Sequence, residues 1–137
     1  MKLTKTELLF RNNFIAIEYS HENDWMYVNW RGYVSHHDVV VGCEEILRLL
    51  KEHRITDILN DNTQVEGMWS GASKWLGEVW FPALLEAGLK HFVWVYSPSV
   101  LSRLSTDKTI KYTQNPDFIQ VFDDTDLAAD WLRANKF

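Results

Sequence analysis

Hydrophobic and polar residues alternate along the opening of the chain, and then the rhythm changes. "ELLFRNNFIAIEYS" reads as two short strands joined at Asn12-Asn13, a dipeptide tolerant of positive φ. "DWMYVNWRG" continues as a third strand, setting Met26, Val28 and Trp30 against Trp25, Tyr27 and Asn29. Aromatic rings on both sides of that strand call for a covering layer on each face. The period then lengthens. "SHHDVVVGCEEILRLLKEHR" puts Val39, Val40, Cys43, Ile46, Leu47 and Leu50 on one helical stripe, with Glu44, Glu45, Arg48, Lys51 and Glu52 toward water. Ser35 followed by Asp38 is a capping-box variant that starts this helix with negative charge at its positive end.

"ITDILND" is the next strand, and Trp69 to Gly88 the next helix. Ala72, Leu76, Val79, Ala83 and Ala87 are expected to face the core there, leaving Trp75, Phe81 and Leu85 toward other faces. Pro82 removes one helical hydrogen bond, so the segment is expected to bend or split near Trp80. "HFVWVYS" reads as a central strand buried on both faces, ended by Pro98 and followed by a short helix from Val100 to Leu104. "DFIQVF" is the last strand, and "DTDLAADWLRANKF" closes as a helix with Leu127, Ala128, Trp131 and Leu132 inward. The order β-β-β-α-β-α-β-α-β-α predicts the α/β class. It implies a mixed sheet with parallel right-handed crossovers and flanking helices, in a single domain over residues 1–137.

Composition narrows the function classes. A net charge of -5 with scattered Lys and Arg gives nucleic acid or an anionic membrane nothing to bind. The lone Cys43 rules out an internal disulfide and suits a reducing compartment. No apolar run is long enough to span a membrane, and "MKLTKTELLF" carries no signal-peptide pattern, so a cytoplasmic protein is expected. His36 and His37 point about 100° apart on a helix, and His21, His53 and His91 lack ligand spacing, so no metal site is expected. No phosphate-binding glycine motif, nucleophile elbow or C-x-x-C is present, so neither a cofactor nor a catalytic residue is expected. The seven tryptophans change the picture most, each bringing large contact area and an N–H that needs a partner when buried.

Candidate binding residues gather around two strand–helix joints. Asp61 and Thr63 sit where the fourth strand is expected to end, the place where open α/β sheets collect ligands. Asp61 reads either as an acceptor or base toward a ligand, or as an Asx-type turn residue. Ser70, before Gly71, reads as a helix N-cap, and as a candidate phosphorylation site because a phosphate there would meet free amides. Trp69 and Trp75 belong to a helix apolar on several sides, which fits a core, a dimer interface or the wall of an apolar cleft. Tyr96 and Ser97 end the buried strand, Ser99 is positioned to cap the following helix, and Arg103 is within reach of an acidic group.

This pattern resembles the STAS-like superfamily, and within it the SpoIIAA-like branch of small stand-alone bacterial proteins, of a type expected in Bacteroidetes. The resemblance rests on the β-α alternation and on Asp61, Thr63 and Val65 leading to Ser70-Gly71. In anti-sigma antagonists of that family the equivalent serine is phosphorylated and switches partner binding. Here Met68-Trp69 stands where the family keeps an acidic residue and a second serine. The branch is also similar in layout to lipid carriers of the CRAL-TRIO type. The resemblance implies a non-enzymatic binding or regulatory domain. It would be a homodimer, or would engage a regulatory protein partner, through the Asp61–Ser70 turn and the aromatic helix. The alternative is a carrier or sensor of an apolar small molecule or lipid.

Overall fold

The computed structural model describes residues 6–136; residues 1–5, part of the stretch read above for a leader, lie outside them. Strands β1 (Thr6–Arg11), β2 (Ile15–Ser20) and β3 (Trp25–Tyr33) form an antiparallel meander. Strands β4 (Asp57–Glu66), β5 (His91–Val95) and β6 (Ile119–Phe122) then add in parallel, so the six-stranded sheet runs in chain order. The element order and the mixed α/β sheet are those the hydrophobic pattern predicted. β5 is interior but lies next to the edge strand rather than at the centre.

Helices α1 (His36–His53) and α4 (Val100–Tyr112) cover one face, together with the broken helical segment between β4 and β5. Crossovers of one hand stepping in one direction across a sheet must all lie on the same face. Among the described residues only α5 (Thr125–Asn135), which follows the last strand, packs on the other. The two sides of β3 divide accordingly, with Met26, Val28 and Trp30 in the helix-side core and Trp25 and Tyr27 under α5. Ser35 and Asp38 close the capping box that starts α1, and Arg54 ends it in the left-handed conformation at φ 54.

Several expectations are corrected locally. Asn12 and Asn13 do not take positive φ. Instead the Asn12 side chain accepts from the amides of Phe14 and Ile15, and so makes the turn. β4 does not stop at Asp61 but continues to Glu66. A bulge, with Asn29 opposite Asp61 and Arg31 opposite Gln64, absorbs one residue.

The segment after β4 is not one helix. A 3₁₀ turn (Ser70–Ala72), α2 (Ser73–Trp75), a π turn (Leu76–Trp80) and α3 (Phe81–Glu86) follow one another. Pro82 cannot donate, and the chain meets that by widening the turn before it. The extra residue rotates everything beyond it, so Phe81 is fully buried and Val79 is 54 % exposed, the reverse of the expectation. Gly77 lets this turn press against α4, since a Cβ there would stand 2.7 Å from the Tyr112 Cβ. α4 runs on to Tyr112, well past Leu104, and buries Ser102, Ser105, Thr106 and Thr109 while exposing Val100, Leu101 and Leu104. In α5, Leu127 is exposed and Ala129 is buried, and in α1 the buried stripe includes Leu49 while Val40 and Leu47 are half-buried.

Candidate functional site

The broken segment, α1 and the sheet leave a cavity beneath the carboxyl ends of β3 and β4. Its walls are Trp30, Asn60, Asn62, Val65, Phe92 and Trp94 from the sheet, facing Val34, Val39, Cys43, Trp69, Leu76 and Trp80. It holds about 390 Å³ of empty space counted out to its opening, of which about 30 Å³ admits the centre of a water molecule. No lining residue is charged. The first residue of α1 meets the 3₁₀ turn through His36 Nδ1 and the Gly71 carbonyl, 3.1 Å apart.

The polar groups in these walls form an ordered series. An indole can only donate, so Trp30 Nε1, 2.9 Å from Asn60 Oδ1, fixes which way the Asn60 amide faces. The Asn60 nitrogen then donates to Asn62 Oδ1 at 3.1 Å, and the relay ends on the Asn62 N–H₂ group. Trp80 donates to the Cys43 carbonyl at 2.8 Å, and Trp69 to the Ser102 hydroxyl at 3.0 Å. Trp94, stacked on Trp69 with ring centroids 6.0 Å apart, is 4 % exposed, and among the described residues nothing accepts from its N–H. Burial pushes the Cys43 thiol well above its ordinary pKa, so it is neutral and unreactive here.

The residues singled out from the sequence fall into three groups. Trp69 lines the cavity, and Ser70 stands half-buried beside it. Ser70 caps nothing, because the N-cap position of the 3₁₀ turn is Trp69, without a side-chain bond. Trp75 packs against the helix-side core without lining the cavity.

Asp61 faces the opposite side of β4, and Thr63 meets it through its backbone amide. Asp61 is 4 % exposed and accepts from Tyr27 Oη at 2.5 Å and from the Thr63 amide at 2.8 Å. Burial and then this bond to a carboxylate raise the Tyr27 phenol far above its ordinary pKa, which keeps it a donor. Beside it, Asn29 Oδ1 is buried without a partner among the described residues.

Tyr96 and Arg103 meet at the surface. The Arg103 guanidinium lies 4.1 Å from the ring centroid and binds Asp123 at 2.6 Å, while Tyr96 donates to Asp107 at 2.5 Å. Burial and that bond raise Tyr96 to about 12. Ser97 is buried, donates to the Val65 carbonyl at 2.5 Å, and accepts from the Ser99 amide at 2.9 Å. Ser99 caps α4, as expected. The structure therefore joins Tyr96 to Arg103 and Ser70 to Trp69, but sets Asp61 on the other face of the sheet, with the Thr63 amide bonded to it.

Sequence reasoning missed Asn60, Asn62, Cys43 and Trp94 as one site. The available signal was polar amides at Asn60 and Asn62 inside a strand otherwise buried, an expensive placement unless something accepts or donates to them. A separate polar cluster at the other end of the sheet holds down the end of α5. Asp57, 1 % exposed, accepts from Thr56, from His91 at 2.6 Å and from Lys136 at 2.9 Å. Burial alone would raise its pKa, but the bonds from Lys136, His91 and Thr56 outweigh it and hold the carboxyl below the ordinary value. Among the described residues no helix is long and apolar enough to cross a membrane.

No protein-family model matches the chain, and no curated protein matches it. Among solved structures it is similar to a DUF3478-family protein with a SpoIIAA-like fold from Shewanella loihica PV-4. The likeness has 21 % identity and a TM-score of 0.49, and covers 96 % of this chain and 97 % of that one. It is a likeness of fold alone.

Proposed function

We propose that this chain is a binding domain whose ligand is a small uncharged molecule held in the tryptophan-lined cavity. The observation that carries this reading is a cavity walled by four tryptophans, Phe92 and Leu76 with no charged residue among its lining. Size sets the class. Space admitting about 10–15 Å³ of water centres holds one water, so this cavity suits a pair of waters or about four heavy atoms. A lipid chain exceeds that by far. Native mass spectrometry of protein purified from its own cells tests the reading: a small added mass, lost on denaturation, is expected, and the bare chain mass in every preparation would count against it.

A second reading has its own support. α4 turns hydroxyls inward and Val100, Leu101 and Leu104 outward, the inverse of a helix that faces water. That stripe suits self-association as a homodimer, or contact with a regulatory protein. Sedimentation at micromolar concentration would give a dimer for the wild type and a monomer for Leu101→Glu/Leu104→Glu. A monomeric wild type removes the dimer.

A further inference from the structure

An open cleft lies between the β1–β2 turn, the end of β3 and the first turn of α1, and it shares no lining residue with the cavity. Two opposite charges line it, Arg31 and Asp38, without pairing to each other. The Arg31 guanidinium gives one N–H to the Asn12 carbonyl at 3.2 Å, and one oxygen of Asp38 accepts from the Ser35 amide at 3.1 Å. Three Lys and Arg side chains are half-buried among the described residues. Arg103 meets Asp123 and Lys136 meets Asp57, but Arg31 meets no carboxylate there. The register of β3 on β4 slips just before Arg31, and Gly32 follows at φ 78, so the strand leaves regular pleating where it supplies this side chain. Tyr33 completes the cleft. It is 77 % exposed, and a Cβ at Gly67 would stand 2.9 and 3.0 Å from its Cδ1 and Cε1 and within 4 Å of no other ring atom. Gly67 thus meets the ring along one edge and leaves its faces open.

From this arrangement we propose that the cleft binds a small zwitterion of the amino-acid class, with its carboxylate on Arg31, its ammonium at Asp38 and an apolar side chain against Tyr33 and Phe14. The unpaired guanidinium calls for a carboxylate, whose two oxygens match its planar fork. Asp38 disfavours a simple anion, which would bring a second negative charge and leave the first without a partner. Arg31 disfavours a simple cation for the converse reason. A neutral polyol reaches the donors but supplies neither counter-charge. The start of α1 adds little, because its capping box already holds the Ser35 and Asp38 amides. About 490 Å³ of the cleft admits the centre of a water molecule, ample room for a free amino acid.

Three probes with one phenyl ring separate the alternatives: phenylalanine, hydrocinnamate, which lacks the ammonium, and phenethylamine, which lacks the carboxylate. Titrations follow the backbone amide resonances of Asn13, Gly32 and Tyr33 in the full chain. Phenylalanine is expected to shift them saturably, with an affinity on the order of millimolar, and to bind about fivefold more tightly than either single-charge probe, the share one partly exposed ion pair supplies. Arg31→Gln should lower phenylalanine to the affinity of phenethylamine, and Asp38→Asn should lower it to that of hydrocinnamate. Both variants retain the local bonds, since a glutamine can donate to the Asn12 carbonyl and an asparagine can accept from the Ser35 amide. Should either not fold, the wild-type ranking of the three probes carries the test. Hydrocinnamate binding as tightly as phenylalanine would overturn the zwitterion in favour of an anion, and phenethylamine doing so would overturn it in favour of a cation. Saturation by none of the three, or shifts confined to the cavity tryptophans, would overturn the site itself and leave the cavity reading untouched.

Discussion

The two faces of the sheet both bury tryptophan beside polar groups, yet they treat those groups differently. On the α5 face the conspicuous groups are carboxylates, and they are saturated. Asp57 takes bonds from a lysine, a histidine and a threonine, and Asp61 from a phenol and a backbone amide. On the helix side no charge lines the cavity, and the conspicuous groups are indole and amide N–H donors, one of which has no partner among the described residues. The residues that look most like chemistry in the sequence are thus structural, and the open hydrogen-bonding capacity lies with a tryptophan inside the most apolar strand. Asn29 Oδ1 is the exception on the α5 face, a lone buried acceptor beside Tyr27.

The largest effect expected anywhere belongs to the helix-side core. Phe81 packs edge-on against Phe92, Trp94 and Phe118, with centroids 4.9, 5.9 and 5.4 Å away. Phe81→Ala should cost about 4 kcal/mol in denaturant unfolding, while Val79→Ala, exposed, should stay within about 0.5. A reversal of that order would mean that the π turn is absent.

On the α5 face the matching perturbation is Asp57→Ala, which strands Lys136 and His91 and should cost about 3 kcal/mol at neutral pH. The pH dependence has a fixed sign. Because the folded-state pKa of Asp57 is lowered, its contribution is complete above the unfolded value of about 4 and is lost as pH falls through the folded value. Acid melts should therefore converge for wild type and Asp57→Asn below that window. A gap that persists there would show that the charge is not what holds α5.

Gly77→Ala should cost about 2 kcal/mol by thermal melting, because the new methyl meets the Thr109 carbonyl and Tyr112 backbone at 2.9 and 2.8 Å, atoms that cannot step aside. Among the buried positions the smallest effect is Tyr27→Phe, which removes one of two bonds to a buried carboxylate and should cost about 1.5 kcal/mol by the same melt. Loss of ligand binding in Tyr27→Phe would join the two faces functionally and break the contrast.

Which features were legible follows from the same contrast. Alternation and helical period fixed every strand and helix in order, because burial of apolar side chains sets them. Asp61 misled because three consecutive polar residues, Asn60 to Asn62, read as a turn. In the sheet Asn60 and Asp61 find partners on β3 and Asn62 accepts from Asn60 within the strand, so the strand continues past them. Ser102, Ser105 and Thr109 misled in the same way, as hydroxyls that bond Trp69, Ser73 and their own helix carbonyls can be buried where a pattern asks for leucine. The phase of the aromatic segment was beyond reading, since Pro82 announces a break but not which residue the π turn absorbs.

The central claim is that the tryptophan-lined cavity on the helix side is where a small uncharged ligand binds. The most direct measurement is the indole ¹⁵N–¹H spectrum of the wild type titrated with acetone, all seven tryptophans serving as reporters. Saturable shifts are predicted for Trp30, Trp69, Trp80 and Trp94, with Trp25 and Trp131 unmoved. Shifts of Trp25 and Trp131 with the same midpoint, or no saturable shift at Trp94, would contradict it.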